Sequence, residues 1–340
     1  SIRFVHVVLC SAGIISCALL IFVLLSRSAR HLHVNLRLSL ASLTIAALIA
    51  CAQLFFTAAF TTVLTVASDD KCNIIFDSQS CALLRWPVVL AIYATLAGII
   101  CVAVERAIAT VKYRTYEAHG CREVGVTLII VQWTTSLLCS FFSIIMRHDP
   151  GFVHYCTVYV SHPKSAIISL CFMTILELVT LLFFITLLSV NKYKQVHEFV
   201  NNALHSLTER YQLLENVRIM QTLIPSLTVH ASLSLLGLAA MLLFAIVHQE
   251  MNSRSVARFA PFSELVLLVV PIYSIVFSAV AVACNPQLRQ AARGALPVFF
   301  TPRPNPPLPG EPPLIASRPS KQMEKESDRH FNLLADMWNK

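Results

Sequence analysis

Seven apolar stretches, each long enough to cross a lipid bilayer, constrain this chain more than any other feature. They run over residues 4–25, 38–66, 86–104, 124–146, 166–190, 219–247 and 265–284. A helix needs about 20 residues to cross roughly 30 Å of hydrocarbon. Charged residues are 13% of the 340 and apolar ones 56%, whereas a soluble domain carries roughly a quarter charged. The expected fold class is therefore all-α, an integral membrane bundle of seven transmembrane helices. The third stretch is the shortest, and it can begin near Cys81 with Arg85 snorkelling outward. The first is too long for a signal-peptide core and no small-residue cleavage site follows it, so it too reads as a span.

The net charge of +8 has no compact basic domain to carry it, which argues against nucleic acid. Cytoplasmic loops explain it more simply. With the N-terminus outside, the inner segments and near tail hold fourteen Lys and Arg against seven in the outer segments. That bias predicts N-out, C-in, and it places "VAVERAIATVKYRTYE" (102–117) at the inner end of span three. There Arg106 can rise towards headgroups, pair with Glu105, or meet a partner. Tyr113 and Tyr116 among Lys112 and Arg114 suit an anionic leaflet or a protein surface equally.

The next inner segment, "SLTERYQLLENVRIMQ", has Ser206 and Glu209 at capping-box spacing. Leu207, Tyr211, Leu214, Val217 and Gln221 follow one helical face, and Glu215 and Arg218 can pair at i, i+3. The pattern predicts a helix that starts about 13 residues before the membrane and runs straight into span six, a lever carrying Arg210, Tyr211 and Arg218. The alternative is an amphipathic helix lying on the membrane. After span seven, Asn285 is a good N-cap and Pro286 fits the first helical position. Leu288, Ala292 and Ala295 then share one face, away from Arg289 and Arg293, as in a short interfacial amphipathic helix. The expected domains are a seven-transmembrane bundle with its juxtamembrane helix at 1–296 and a disordered, cytoplasmic Pro-rich tail at 297–340.

Of 11 cysteines, Cys72, Cys81 and Cys156 fall in the outer loops, the oxidising side. A Cys81–Cys156 bond would pin the loop between spans four and five over span three. Three free thiols, or a Cys72–Cys81 bridge, remain alternatives, because spacing does not fix connectivity.

"ERAIATVKYRTYE" and "SLTERYQLLENVRIMQTL" resemble the nematode seven-transmembrane chemoreceptors, closest to the Sre class and its Sra-type relatives. The likeness covers essentially the whole chain. It implies a chemosensory G protein-coupled receptor in the plasma membrane, in sensory neurons and their cilia, passing the binding of a small external chemical to a cytoplasmic heterotrimeric G protein. It also implies inner-face coupling residues: Glu105, Arg106, Tyr113, Arg114, Arg210, Tyr211, Arg218 and Arg289. Glu105–Arg106 stands where rhodopsin-like receptors carry Asp-Arg-Tyr, with Ala107 in place of the Tyr, and "NPQLR" lacks the Tyr of Asn-Pro-x-x-Tyr. Conventional activation switches are therefore not to be assumed.

Within the bundle, Glu177 lies near the middle of span five, where an ionised carboxylate costs about 3 kcal/mol. It should face inward, with His230 of span six a candidate partner. Pro225 and Pro271 are expected to kink spans six and seven. A ligand pocket is expected between spans three, five, six and seven, with Trp86, Tyr93, Glu177 and Tyr273 as candidate linings.

The main rival is a seven-helix ligand-gated channel or transporter, which needs a polar route that one buried acid supplies poorly. An opsin needs a Lys in span seven, and there is none. No paired acids, His-Glu-x-x-His or Gly-x-Ser-x-Gly occur in a span, so no enzyme is read here, and no metal or cofactor.

Overall fold

Each apolar stretch satisfies its backbone internally as a helix, the only open-chain solution in hydrocarbon. The computed structural model describes residues 2–27, 29, 32, 34–67, 76–111, 121–145, 152–153, 163–200, 207–247 and 263–295. Its helices are α1 (Ile2–Leu25), α2 (Val34–Ala67), α3 (Ser78–Val111), α4 (Cys121–Ile145), α5 (Pro163–Val200), α6 (Leu207–Val247), α7 (Val269–Cys284) and α8 (Pro286–Ala295). Seven of the helical segments are long and apolar enough to span a membrane. The spans read from sequence are all present, most of them longer than hydropathy alone suggested. The tail at 297–340 lies outside the described residues.

Helix ends follow local chemistry. The Asp77 carboxylate accepts from the Ser80 backbone N–H at 3.1 Å, capping the start of α3. Asn285 Oδ1 accepts from the N–H groups of Gln287 and Leu288 at 3.0 and 3.2 Å, which ends α7 and starts α8 as the Asn-Pro pair predicts. α6 runs without interruption through Pro225, so the stalk and the span belong to one helix. Span seven, Ser263–Cys284, is interrupted by a turn at Leu268. Pro271 explains this, because it offers no N–H to the Leu267 carbonyl and its ring crowds that turn. Two short strands, β1 (Phe76–Asp77) and β2 (Phe152–Val153), pair antiparallel with Phe76 opposite Val153.

In the bundle, α3 is central and packs on α2, α4, α5 and α6, while α1 closes against α2, α7 and α8. One apolar cluster joins Leu24, Leu40, Val102, Phe184, Met220, Phe277 and Leu288. A second, smaller one holds Cys10, Leu54, Val88, Ala91 and Leu267. Ile15, Ile130, Leu182 and Leu243 remain exposed on the outer faces, as lipid contact requires. In α8, Leu288, Ala292 and Ala295 are buried and Arg289 is exposed, matching the predicted face.

The stalk of α6 corrects the sequence reading. Among its described side chains Val217 is buried, but Leu214 and Gln221 are exposed, and Leu213, Asn216 and Met220 face inward instead. The predicted stripe is rotated because Asn216 is drawn inward by a polar partner described below.

Close helix contact is needed at Gly98 of α3. A Cβ there would meet Gln132 Nε2 at 2.6 Å and Leu43 Cδ2 at 2.7 Å. Gln132 cannot yield cheaply, since its amide donates to the Ala94 carbonyl and its Oε1 accepts from Ser42 Oγ. Gly98→Val should therefore destabilise the detergent-solubilised protein by about 1–3 kcal/mol. Gly237→Ala, whose new Cβ meets only Val266 at 3.5 Å, should leave the thermal midpoint unchanged.

Candidate functional site

Two polar assemblies lie on α3, and both bridge to α5 and α6. At its C-terminal end the guanidinium of Arg106 donates two bonds to the carboxylate of Glu105. Its third nitrogen, Nη1, donates to Asn216 Oδ1 of α6 at 3.0 Å. Glu105 and Arg106 are 1% and 2% exposed, so the pair is sealed rather than displayed. One turn on, Thr110 Oγ1 accepts from Asn191 Nδ2 of α5 at 2.8 Å, and the Thr110 carbonyl accepts from Lys194 Nζ at 3.2 Å. Thr222 of α6 donates to the Cys284 carbonyl at the end of α7. These contacts tie α3, α5, α6 and α7 into one knot. Glu215 and Arg218 approach to 3.8 Å on the stalk beside it.

The second assembly surrounds a cavity of about 160 Å³ between α3, α5, α6 and span seven. Val89, Ile92, Leu96, Met173 and Val270 give it an apolar wall, and Tyr93, Thr174, Glu177 and His230 supply polar groups. Glu177 meets Nδ1 of His230 directly, the partner that span spacing suggested. The Tyr93 hydroxyl is shared with Ser143 at 2.9 Å and Ser169 at 3.2 Å, joining α3 to α4 and α5. Tyr273 stands edge-on to the His230 ring at a centroid distance of 4.3 Å.

Two pocket candidates fall elsewhere. Trp86 donates its indole N–H to Ser140 of α4, which turns it away from the cavity, and Tyr273 supports His230 without lining the space. Arg85 does not snorkel outward either. It is 4% exposed and donates to Glu264 Oε1 of span seven at 3.1 Å, with the buried His6 ring of α1 3.7 Å from the other carboxylate oxygen. An available acid outweighs the pull of the interface. Glu264, which hydropathy placed at the edge of a span, is thus half-buried between α1, α3 and span seven. Cys81, at the same end of α3, is disulfide-bonded; Cys156 lies outside the described residues. Among the described residues, no group of His, Cys, Asp or Glu could hold a metal ion.

A family model described as "Serpentine type 7TM GPCR receptor class ab chemoreceptor" matches residues 1–296. The chain belongs to that family. It is also 55% identical to serpentine receptor class alpha/beta-14 of Caenorhabditis elegans, over 100% of this chain and 89% of that protein. The molecule is thus a chemoreceptor of the G protein-coupled kind, built as a multi-pass membrane protein. The class is ab, which corrects the resemblance to Sre. Nothing in the match supports a channel or transporter.

Of the inner-face candidates, Glu105 and Arg106 are brought together with the stalk, Arg218 pairs on it, and Arg289 is exposed on α8. Tyr113 and Arg114 lie outside the described residues, as do the side chains of Arg210 and Tyr211. Asn191, Asn216 and Thr110 escaped the sequence reading, although an Asn at the membrane end of an apolar helix was a usable signal. Truncating Arg106 to Ala should cost the receptor about 3–5 kcal/mol by leaving Glu105 buried without its counter-charge. Replacing both, Glu105→Leu with Arg106→Met, should recover most of that, as read by thermal unfolding in detergent.

Proposed function

We propose that the receptor stands N-out, C-in in the plasma membrane of sensory neurons, cilia included, binds a small chemical in the α3–α5–α6 cavity and couples to a heterotrimeric G protein at the inner knot. The observation that carries this reading is that one continuous helix, α6, bears both His230 at the cavity and Asn216 at the knot. They are 14 residues apart, a separation of about 21 Å along a helix. A ligand that changes the Glu177–His230 contact would tilt α6 and draw Asn216 from Arg106. That frees Arg106 to receive the partner, with Glu105, Tyr113, Arg114, Arg210, Tyr211, Arg218 and Arg289 as the other residues proposed to contact it. Tyr93 and Glu177 are the ligand-facing members of the candidate set.

The Cys81–Cys156 pairing belongs to the same proposal. Strands β1 and β2 bring the segment five residues before Cys81 against the segment three residues before Cys156. A bond there would hold the outer loop over the mouth of the bundle. The bundle with α8, 1–296, is the signalling unit, and 297–340 is a cytoplasmic tail.

A hydrogen bond to a charged group contributes about 1.5–3 kcal/mol, so losing one should shift a resting equilibrium by about tenfold or more. Asn216→Ala should accordingly raise ligand-independent G protein activation in cells matched for surface expression. Unchanged or lower basal activity would remove the knot from the switch. A tag at residue 1 should be labelled in intact cells and one at residue 340 only after permeabilisation; the reverse pattern would overturn the receptor topology.

A further inference from the structure

The proposed reading makes the cavity a ligand site, and the chemistry of its wall narrows the ligand. Its volume of about 160 Å³ is close to that of a dry apolar cavity of about 150 Å³ known to admit benzene, a molecule of about six heavy atoms. The wall is apolar on most sides, contributed by Val89, Ile92, Leu96, Leu170, Met173 and Val270. A compact hydrocarbon body of that size fills it.

The polar edge is more selective. Glu177 Oε1 is occupied by His230 Nδ1, while Glu177 Oε2 and His230 Nε2 have no partner among the described residues. Neither atom is sealed in the protein, and both residues line the cavity. The Tyr93 hydroxyl is already engaged by two serines, and Thr174 donates to its own helix at Leu170. The open valences are therefore one carboxyl oxygen and one ring nitrogen, side by side.

A hydroxyl is the simplest group that serves both. If Glu177 is ionised and His230 protonated, it donates to Oε2 and accepts from Nε2–H. If both are neutral, with the His230 proton on Nδ1 and the acid proton on Oε2, the hydroxyl accepts from Oε2–H and donates to Nε2. A carbonyl can only accept, and so loses one of the two bonds in either state. In both states the pair carries no net charge, so an ammonium or carboxylate brings an uncompensated one into a space where unpaired charge is costly. We propose that the cavity binds small neutral alcohols with a compact apolar body, the hydroxyl bridging Glu177 Oε2 and His230 Nε2.

Gly237 makes the idea testable, because it lines the cavity and has room for a Cβ, with Val266 Cγ1 the nearest atom at 3.5 Å. The experiment takes the full chain in lipid nanodiscs and follows thermal unfolding with cyclopentanol, cyclohexanol, cyclooctanol and cyclododecanol. Cyclohexanone, cyclohexylamine and cyclohexanecarboxylate serve as shape-matched controls. Each variant is compared with its own ligand-free state, so differences in basal stability cancel. Cyclohexanol should stabilise, the ketone less, the charged analogues not at all, and cyclododecanol should fail on size. Gly237→Ala should move the preferred ring down to cyclopentanol, Gly237→Leu should abolish stabilisation, and Glu177→Gln should weaken cyclohexanol at least fivefold. Equal stabilisation by alcohol, amine and acid would overturn the proposal, as would a ring-size limit that Gly237→Ala and Gly237→Leu leave in place. The readout needs no G protein. Alcohols that bind without evoking a signal would sink the chemosensory role of the cavity and leave the alcohol site standing. A signal from a larger ligand that survives Gly237→Leu would do the opposite.

Discussion

Hydrocarbon offers a polar side chain no hydrogen bond, and the whole bundle is organised by that deficit. Apolar faces do not discriminate strongly here, since lipid tails are as good a neighbour as Leu. Direction comes from the few atoms that must find a partner in another helix. Ser42 of α2 receives the Trp133 indole N–H and donates to Gln132, whose amide reaches Ala94 of α3, so three helices are keyed at one level. Cys51 of α2 and Ser274 of α7 do the same on the opposite side at 3.2 Å. Each such bond contributes modestly, about 0.6 kcal/mol on average in one measured membrane protein. Together they exclude rotations and slips that apolar packing would tolerate.

These fastenings are not evenly spread. α2, α3 and α4 are stitched through the middle of the membrane, and α1 joins α2 through Arg3, which reaches Thr65 at 2.6 Å. The polar links of α5 and α6 to the remaining helices are concentrated near Tyr93 and at the knot around Thr110 and Arg106. Between these levels the two are fastened mainly to each other, through Glu177 and His230. A small number of broken contacts therefore separates one arrangement of these helices from another, whereas moving α3 against α4 would disrupt several at once.

The legible part of the molecule was the part governed by single-chain chemistry. Span number, the Asn285–Pro286 junction, the Glu215–Arg218 pair and the long α6 stalk follow from hydropathy and local spacing, which need no knowledge of neighbours. The contact between Glu177 and its candidate partner His230 was also reached, because a buried acid has few places to go, and a cavity lies among the four helices named for a pocket. What failed depended on which neighbour a residue meets. Arg85 was assigned to the interface because its acid, Glu264, lies in a different span. The buried face of the stalk was misjudged because Asn216 looks solvent-seeking until Arg106 stands opposite it. That Trp86 does not line the cavity was equally hidden, because a ring near a span's outer end gives no sign that its N–H is claimed by Ser140.

The cap at Asn285 has a consequence for everything downstream of it. By ending one helix and starting α8 at once, it leaves a single residue between the two, while Leu288, Ala291 and Ala295 are held against the bundle. A joint that short has no slack: a rotation of span seven must either carry the amphipathic face of α8 with it or uncover those three side chains.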